Sequence, residues 1–271
     1  MLITVNGLVV RSYLSGSHDR IIHILTEDRG RLSVMVKGGA TKRAGSAASC
    51  IQLFTYGNYE LYRSRGKDLY WFRGGSVLTP FYELSSDITS VALAAYLCDI
   101  AADMTPEEEG ESEESVLLLK DLLNSLYVLE KKMKSPTLIK AVFELRAAVL
   151  MGYCPDLSGC ALCGRSDPES AYLDVMNGRI ICSDCQSKRN RIRDVGQHDE
   201  DLGGRSVVCP VSSSVLAAMR FIAEAPPTKI FSFSMKDAEE ERSLERVTET
   251  FLLNQLERNY DTLHFYRTLM T

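Results

Sequence analysis

Two cysteine pairs, Cys160-Ala-Leu-Cys163 and Cys182-Ser-Asp-Cys185, stand eighteen residues apart and constrain this chain more than any other feature. Each two-residue spacer turns both sulfurs of its pair the same way. Four thiolates can then meet at one centre, the tetrahedral all-sulfur shell that zinc favours. Gly164, directly after the first pair, suits a tight turn of positive φ, and Gly178 offers a turn four residues before Cys182. An iron–sulfur cluster, disulfides and a site that has lost its metal are the alternatives to one structural zinc ion. Four sulfurs leave no coordination position open for water or substrate, which argues against a zinc enzyme. Cys154 lies near enough to be a rival ligand, whereas Cys50, Cys98 and Cys209 sit among apolar or small residues and read as buried thiols. His18, His23, His198 and His264 are scattered, and none has ligand spacing to the cysteines.

At 271 residues the chain is long for a single core, and two or three modules are expected. No apolar run approaches the length of a membrane span, and the N-terminus lacks a basic stretch followed by an apolar one. Neither membrane insertion nor secretion is expected. In a reducing cytoplasm the paired cysteines are then thiolates available to a metal.

The formal net charge of −5 conceals an asymmetry. Residues 1–80 hold eleven Lys or Arg against five Asp or Glu, a balance of +6, and the remainder carries −11. A basic module on an acidic chain points to nucleic acid as a partner of the basic part. That part also reads as strands. Thr4–Tyr13 and Arg20–Glu27 are rich in β-branched residues, and Leu32, Val34 and Val36 alternate with Ser33, Met35 and Lys37. Asp28-Arg29-Gly30 is a short hairpin loop between them. Two further strands are expected at Leu53–Tyr62 and Asp68–Val77. Five short strands, with an irregular excursion over Gly38–Cys50, fit the small closed barrel of an OB-fold.

The barrel gives the cations a location. An OB-fold binds along strands two and three, flanked by the one–two and four–five loops. Here the four–five loop carries Arg63, Arg65 and Lys67, and the excursion after strand three begins at Lys37 and carries Lys42 and Arg43. Those six are the candidate nucleic-acid-binding residues, because phosphate neutralisation supplies most sequence-independent affinity. Tyr56, Tyr59, Tyr62, Tyr70, Trp71 and Phe72 interleave with them, each either barrel core or a surface on which bases stack.

Beyond the barrel the chain reads as helical. Ser86-Asp87 caps a helix to about Met104, and an acidic loop at Thr105–Glu114 leads into a second from Ser115 to Lys132. A third has Ser135 as cap, Pro136 in its first turn, Gly152 past its end, and a stripe of Leu138, Val142, Leu145 and Val149. Two more follow the cysteines, at Ser212–Glu224 and Ala238–Leu269. The basic run Lys188–Arg193 is either a second phosphate contact or a helix surface neutralised by nearby acids. The expected class is thus α+β: an OB-fold barrel at 1–80, helices at 81–155, a four-cysteine knuckle with its basic segment at 156–209, and helices at 210–271. There is no phosphate-binding Gly-rich loop, dinucleotide fingerprint or nucleophile elbow, so no enzyme and no small-molecule substrate are expected.

Certain of these residues resemble a family, the bacterial recombination mediator RecO. The specific match is Gly152-Tyr153-Cys154-Pro155-Asp156-Leu157 running into Cys160-Ala161-Leu162-Cys163-Gly164, completed by Gly178-Arg179-Ile180-Ile181-Cys182-Ser183-Asp184-Cys185. Asp19-Arg20-Ile21-Ile22, Leu25-Thr26, Gly30 and Lys37-Gly38 look like its first three strands. Ser17 stands where relatives usually carry an acid, and the loop after Gly38 has fewer cations than in many of them. The resemblance implies a non-catalytic, cytoplasmic, nucleoid-associated mediator of recombinational repair. It would bind single- and double-stranded DNA, anneal strands, engage the C-terminal tail of single-stranded-DNA-binding protein (SSB) and, with RecR, help load RecA. The alternative is a zinc-containing protein–protein adaptor whose barrel is incidental.

Overall fold

The computed structural model describes residues 1–40, 47–63, 69–107, 112–194 and 207–270. These pack as two compact units, Met1–Met133 with Tyr260–Thr271, and Lys134–Asn259.

In the first unit, β1 (Leu2–Ser15), β2 (Asp19–Thr26), β3 (Arg31–Val36), β4 (Tyr56–Tyr62) and β5 (Tyr70–Thr79) close a barrel in the order β1-β2-β3-β5-β4. This is the expected OB-type barrel. Closure depends on β1, whose first part pairs with β4 and whose second part pairs with β2, with an irregularity between Val9 and Arg11. Gly7 lies in both registers, and a Cβ there would stand 2.5 Å from Ile24 Cγ2 and Leu25 O. Only glycine allows the strands to approach so closely at the bend. The β2–β3 hairpin turns at Gly30, φ +61, with the Thr26 amide donating to the Gly30 carbonyl at 2.8 Å.

Alternation sends Ile22, Ile24, Leu32, Val34, Leu61 and Tyr70 into the barrel core. Each aliphatic side chain so buried contributes about 1.5–3 kcal/mol. Tyr59 joins them, and its hydroxyl donates to the carbonyls of Cys50 and Thr55 at 2.9 and 3.1 Å. The fourth strand starts at Tyr56 rather than the expected Leu53, because Phe54 takes a left-handed φ of 64°. A short helix α1 (Ala47–Cys50) occupies the end of the excursion after β3.

The same unit holds α2 (Ile88–Met104), α3 (Glu113–Glu130) and α8 (Asp261–Met270). Asp87 caps α2 by accepting from the Thr89 and Ser90 amides, and Ser112 caps α3 by accepting from Ser115. Arg11 of β1 reaches Asp99 at 2.6 Å and Asp103 at 3.0 Å on α2, and Thr262 of α8 donates to Asp99 at 2.9 Å. The barrel and its helices are thereby tied through one buried-edge ion cluster.

The second unit is built on α4 (Pro136–Leu150), α6 (Ser213–Glu224), α7 (Ala238–Leu256) and a sheet that periodicity did not reveal. Its strands β6 (Asp156–Cys160), β7 (Ser170–Asp174), β8 (Arg179–Cys182) and β9 (Val208–Ser212) lie in the order β6-β8-β7-β9. Helix α5 (Ser183–Asp194) follows β8 directly. One expectation is corrected here: Ala238–Leu269 is not a single helix. Glu257 adopts φ +48, its amide turns back to Asn254 and Leu253, and the chain restarts as α8 at Asp261. Among the described residues no helix is long and apolar enough to cross a membrane.

Candidate metal centre and barrel cations

The four cysteines reach one point from three elements. Cys160 ends β6, Cys163 lies in the turn after it, Cys182 ends β8 and Cys185 sits in the first turn of α5. Strand pairing sets Cys160 opposite Ile180, and the Ala161 amide donates to the Ile180 carbonyl at 2.8 Å, bringing the two knuckles together. The first knuckle closes as the Gly164 amide donates to the Cys160 carbonyl at 2.8 Å, with Gly164 at φ +73. Gly178 likewise takes φ +58 before β8. Both turns are where the spacing placed them.

All four sulfurs lie within 4.8 Å of one another, and Cys163 Sγ stands 3.8 Å from Cys182 Sγ. A tetrahedron of bonds near 2.3 Å to zinc sets its sulfurs about 3.8 Å apart, so the spacing fits. Two of the thiols shift in opposite directions. Burial raises the Cys160 thiol, but amides of Cys182, Leu162 and Cys163 donate to its sulfur and together bring it down to about 6. Cys185 is driven the other way, to about 12, by burial and by hydrogen bonds with the neighbouring sulfurs. Four thiolates this close repel strongly unless a cation sits among them, which is what this donor set is suited to hold. Cys154 is exposed and outside the cluster, its sulfur turned to the Pro155 carbonyl, while Cys50, Cys98 and Cys209 are buried as expected.

Arginine 220 of α6 was not anticipated from sequence, yet it braces the first knuckle. It donates to the carbonyls of Leu157 at 2.8 Å and Ser166 at 2.5 Å, and pairs with Asp167 at 2.7 Å. The basic run after the cysteines divides on α5. Arg189 is buried and faces the fully buried Asp174 at 3.5 Å, whereas Lys188 and Arg191 are exposed. Asn177 donates to both Asp174 oxygens at 3.0 Å, so one member of the run belongs to the packing of this unit. The side chain of Arg193 lies outside the described residues.

On the barrel, Lys37 follows β3 and sets its ammonium 4.9 Å from the centre of the Trp71 ring. Arg63 follows β4 and lies 5.3 Å from the Tyr70 ring. Arg73, which sequence reasoning counted only toward charge, stacks 5.2 Å from Tyr62. Lys42, Arg43, Arg65 and Lys67 lie outside the described residues. Tyr59 and Tyr70 are core, while Tyr62, Trp71 and Phe72 are half-buried. Lys37 and Arg73 thus share the outer surface of β3, β4 and β5 with Trp71 and Tyr62, while Arg63 covers the core ring of Tyr70.

Two family models match the chain: Recombination protein O N terminal over residues 1–81 and Recombination protein O C terminal over residues 85–196. A DNA repair protein RecO from Acetivibrio thermocellus is 30% identical over 264 residues, covering 97% of this chain and 96% of that protein. A protein of the same name from Clostridium acetobutylicum is 26% identical over 85% of this chain and 83% of its own length. Another, from Listeria monocytogenes serotype 4b, is 28% identical over 67% and 68%. With both domains matched and a relative aligned almost end to end, the chain belongs to the RecO family of DNA repair proteins.

Proposed function

We propose that this chain is a non-catalytic recombination mediator, acting in the cytoplasm at the nucleoid. In this reading it binds single- and double-stranded DNA, anneals complementary strands, and with RecR helps RecA load onto strands coated by SSB, whose C-terminal tail it engages. The observation that carries the reading is a closed barrel bearing Lys37, Arg63 and Arg73 beside aromatic rings, in a chain of the RecO family. Lys37, Lys42, Arg43, Arg63, Arg65 and Lys67 are the proposed phosphate contacts. In this reading the segment 1–80 carries the nucleic-acid surface.

Zinc is the proposed metal, one ion held by Cys160, Cys163, Cys182 and Cys185. Its contribution is to fix the β6–β8 turn geometry, since four sulfurs leave it no open position for chemistry. The full-length protein titrated with a labelled single-stranded oligonucleotide is expected to bind saturably, and with complementary strands to speed annealing without consuming nucleotide. Absence of binding at low salt would leave the adaptor reading, in which the acidic remainder of the chain meets proteins and the barrel is incidental.

A further inference from the structure

An outward row of side chains passes from strand to strand round the barrel. Register sets Leu2 opposite Tyr62, Tyr62 opposite Trp71, Trp71 opposite Met35, Met35 opposite Ile21, and Ile21 opposite Tyr13. Their chain neighbours Ile3, Leu61, Tyr70, Val34 and Ile22 fill the core, so alternation turns the row outward. None of the six is charged, and Leu2 and Tyr13 are 66% and 46% exposed. The row's aromatic centre, Tyr62 beside Trp71, carries one cation per ring: Arg73 on Tyr62 and Lys37 on Trp71.

We propose that Tyr62 and Trp71 form a stacking platform for the bases of single-stranded DNA, with Lys37 and Arg73 leaving the rings for phosphates as bases arrive. This rests on the DNA-binding reading above and adds to it the residues that distinguish single from double strands. A cation over an exposed ring is worth a factor of about two to five in an equilibrium constant. Stacking of one base on an aromatic side chain is worth a factor of about five to a hundred and fifty. The base therefore displaces the cation, and the displaced cation meets a phosphate one nucleotide away instead of bulk water. Bases in a duplex are already stacked and paired, so they gain nothing from the platform.

Trp71 is the chain's one tryptophan, so its emission reports the platform directly. The full-length protein is titrated with oligothymidylate and with an abasic oligomer of the same length. Oligothymidylate is expected to quench the emission saturably, and the abasic oligomer to bind about tenfold more weakly with little quenching. Trp71→Ala should lose about tenfold in single-strand affinity and less than about twofold for duplex, with an unchanged salt slope, and Trp71→Phe should stay within about threefold of wild type. Equal affinities for the two oligomers, binding of labelled oligothymidylate without a change in emission, or Trp71→Phe as weak as Trp71→Ala would overturn the platform while leaving DNA binding intact. Failure of the wild type to bind any strand would remove the underlying reading as well.

Discussion

Lys140 of α4 is fully buried, with Glu144 at 2.9 Å, Glu249 at 2.7 Å and Glu245 at 3.4 Å. Thr248 donates to Glu144 at 2.9 Å. Burial alone lowers the Lys140 ammonium, but the three carboxylates outweigh it and hold it above the ordinary lysine value. Removing the cation leaves acids facing one another, so Lys140→Met is expected to destabilise the protein by about 3–5 kcal/mol in urea unfolding. Glu144, deprived of its partner, should then be easier to protonate, and the deficit should narrow as pH falls. A variant as stable as wild type would show that the pair breaks even. A second residue-scale test concerns the sulfurs. Cys182→Ser should abolish a metal content of about one zinc per chain and lower the unfolding midpoint, because metal binding to this cluster is folding free energy. A wild type that is metal-free and equally stable contradicts the zinc assignment.

Strand β2 carries His23 against Tyr13 of β1, hydroxyl to Nε2 at 3.0 Å. Burial lowers its pKa below the usual 6.5, and Arg31 and Arg11 add to the effect. A depressed value means that the unfolded chain takes the proton first. The first unit should therefore lose stability as pH falls through about 6.5, and His23→Gln should flatten unfolding profiles between about pH 7 and 5. Identical profiles would place the pH dependence elsewhere. Elements of this kind were readable because β-branched residues alternate over runs long enough to fix a period, and Asp87 and Ser135 cap helices by composition alone. The sheet β6–β9 was not readable, since its strands are four or five residues long and their pairing is set by contacts distant in sequence. The break at Glu257 left no glycine signal, because a glutamate takes the left-handed position there. Helix α4 showed its apolar stripe, yet Lys140, Glu144 and Arg146 on its other faces are buried too, through partners on α6 and α7 that no local pattern announces. Of the candidate site, the cysteine spacing and its two turns were legible, whereas Arg220 and the division of the α5 cations were tertiary facts.

At the scale of the molecule, a basic barrel is carried on a chain of net charge −5. Several of its cations are already committed: Arg11 to Asp99 and Asp103, Arg20 to the Ser12 hydroxyl, and Arg29 to Asp28 at 3.5 Å. Lys37 and Arg73 instead rest on the half-buried rings of Trp71 and Tyr62, contacts weak enough for phosphate to replace. Positive potential at this end of the barrel is thus the central physical claim, and it has a quantitative signature in counterion release. The most direct measurement is the slope of log affinity against log salt for the full-length protein on a single strand, compared with Lys37→Glu/Arg63→Glu. Two lost phosphate contacts should make the slope shallower by about 1.4 and weaken binding at every salt concentration. An unchanged slope and affinity would contradict the placement of DNA on this surface.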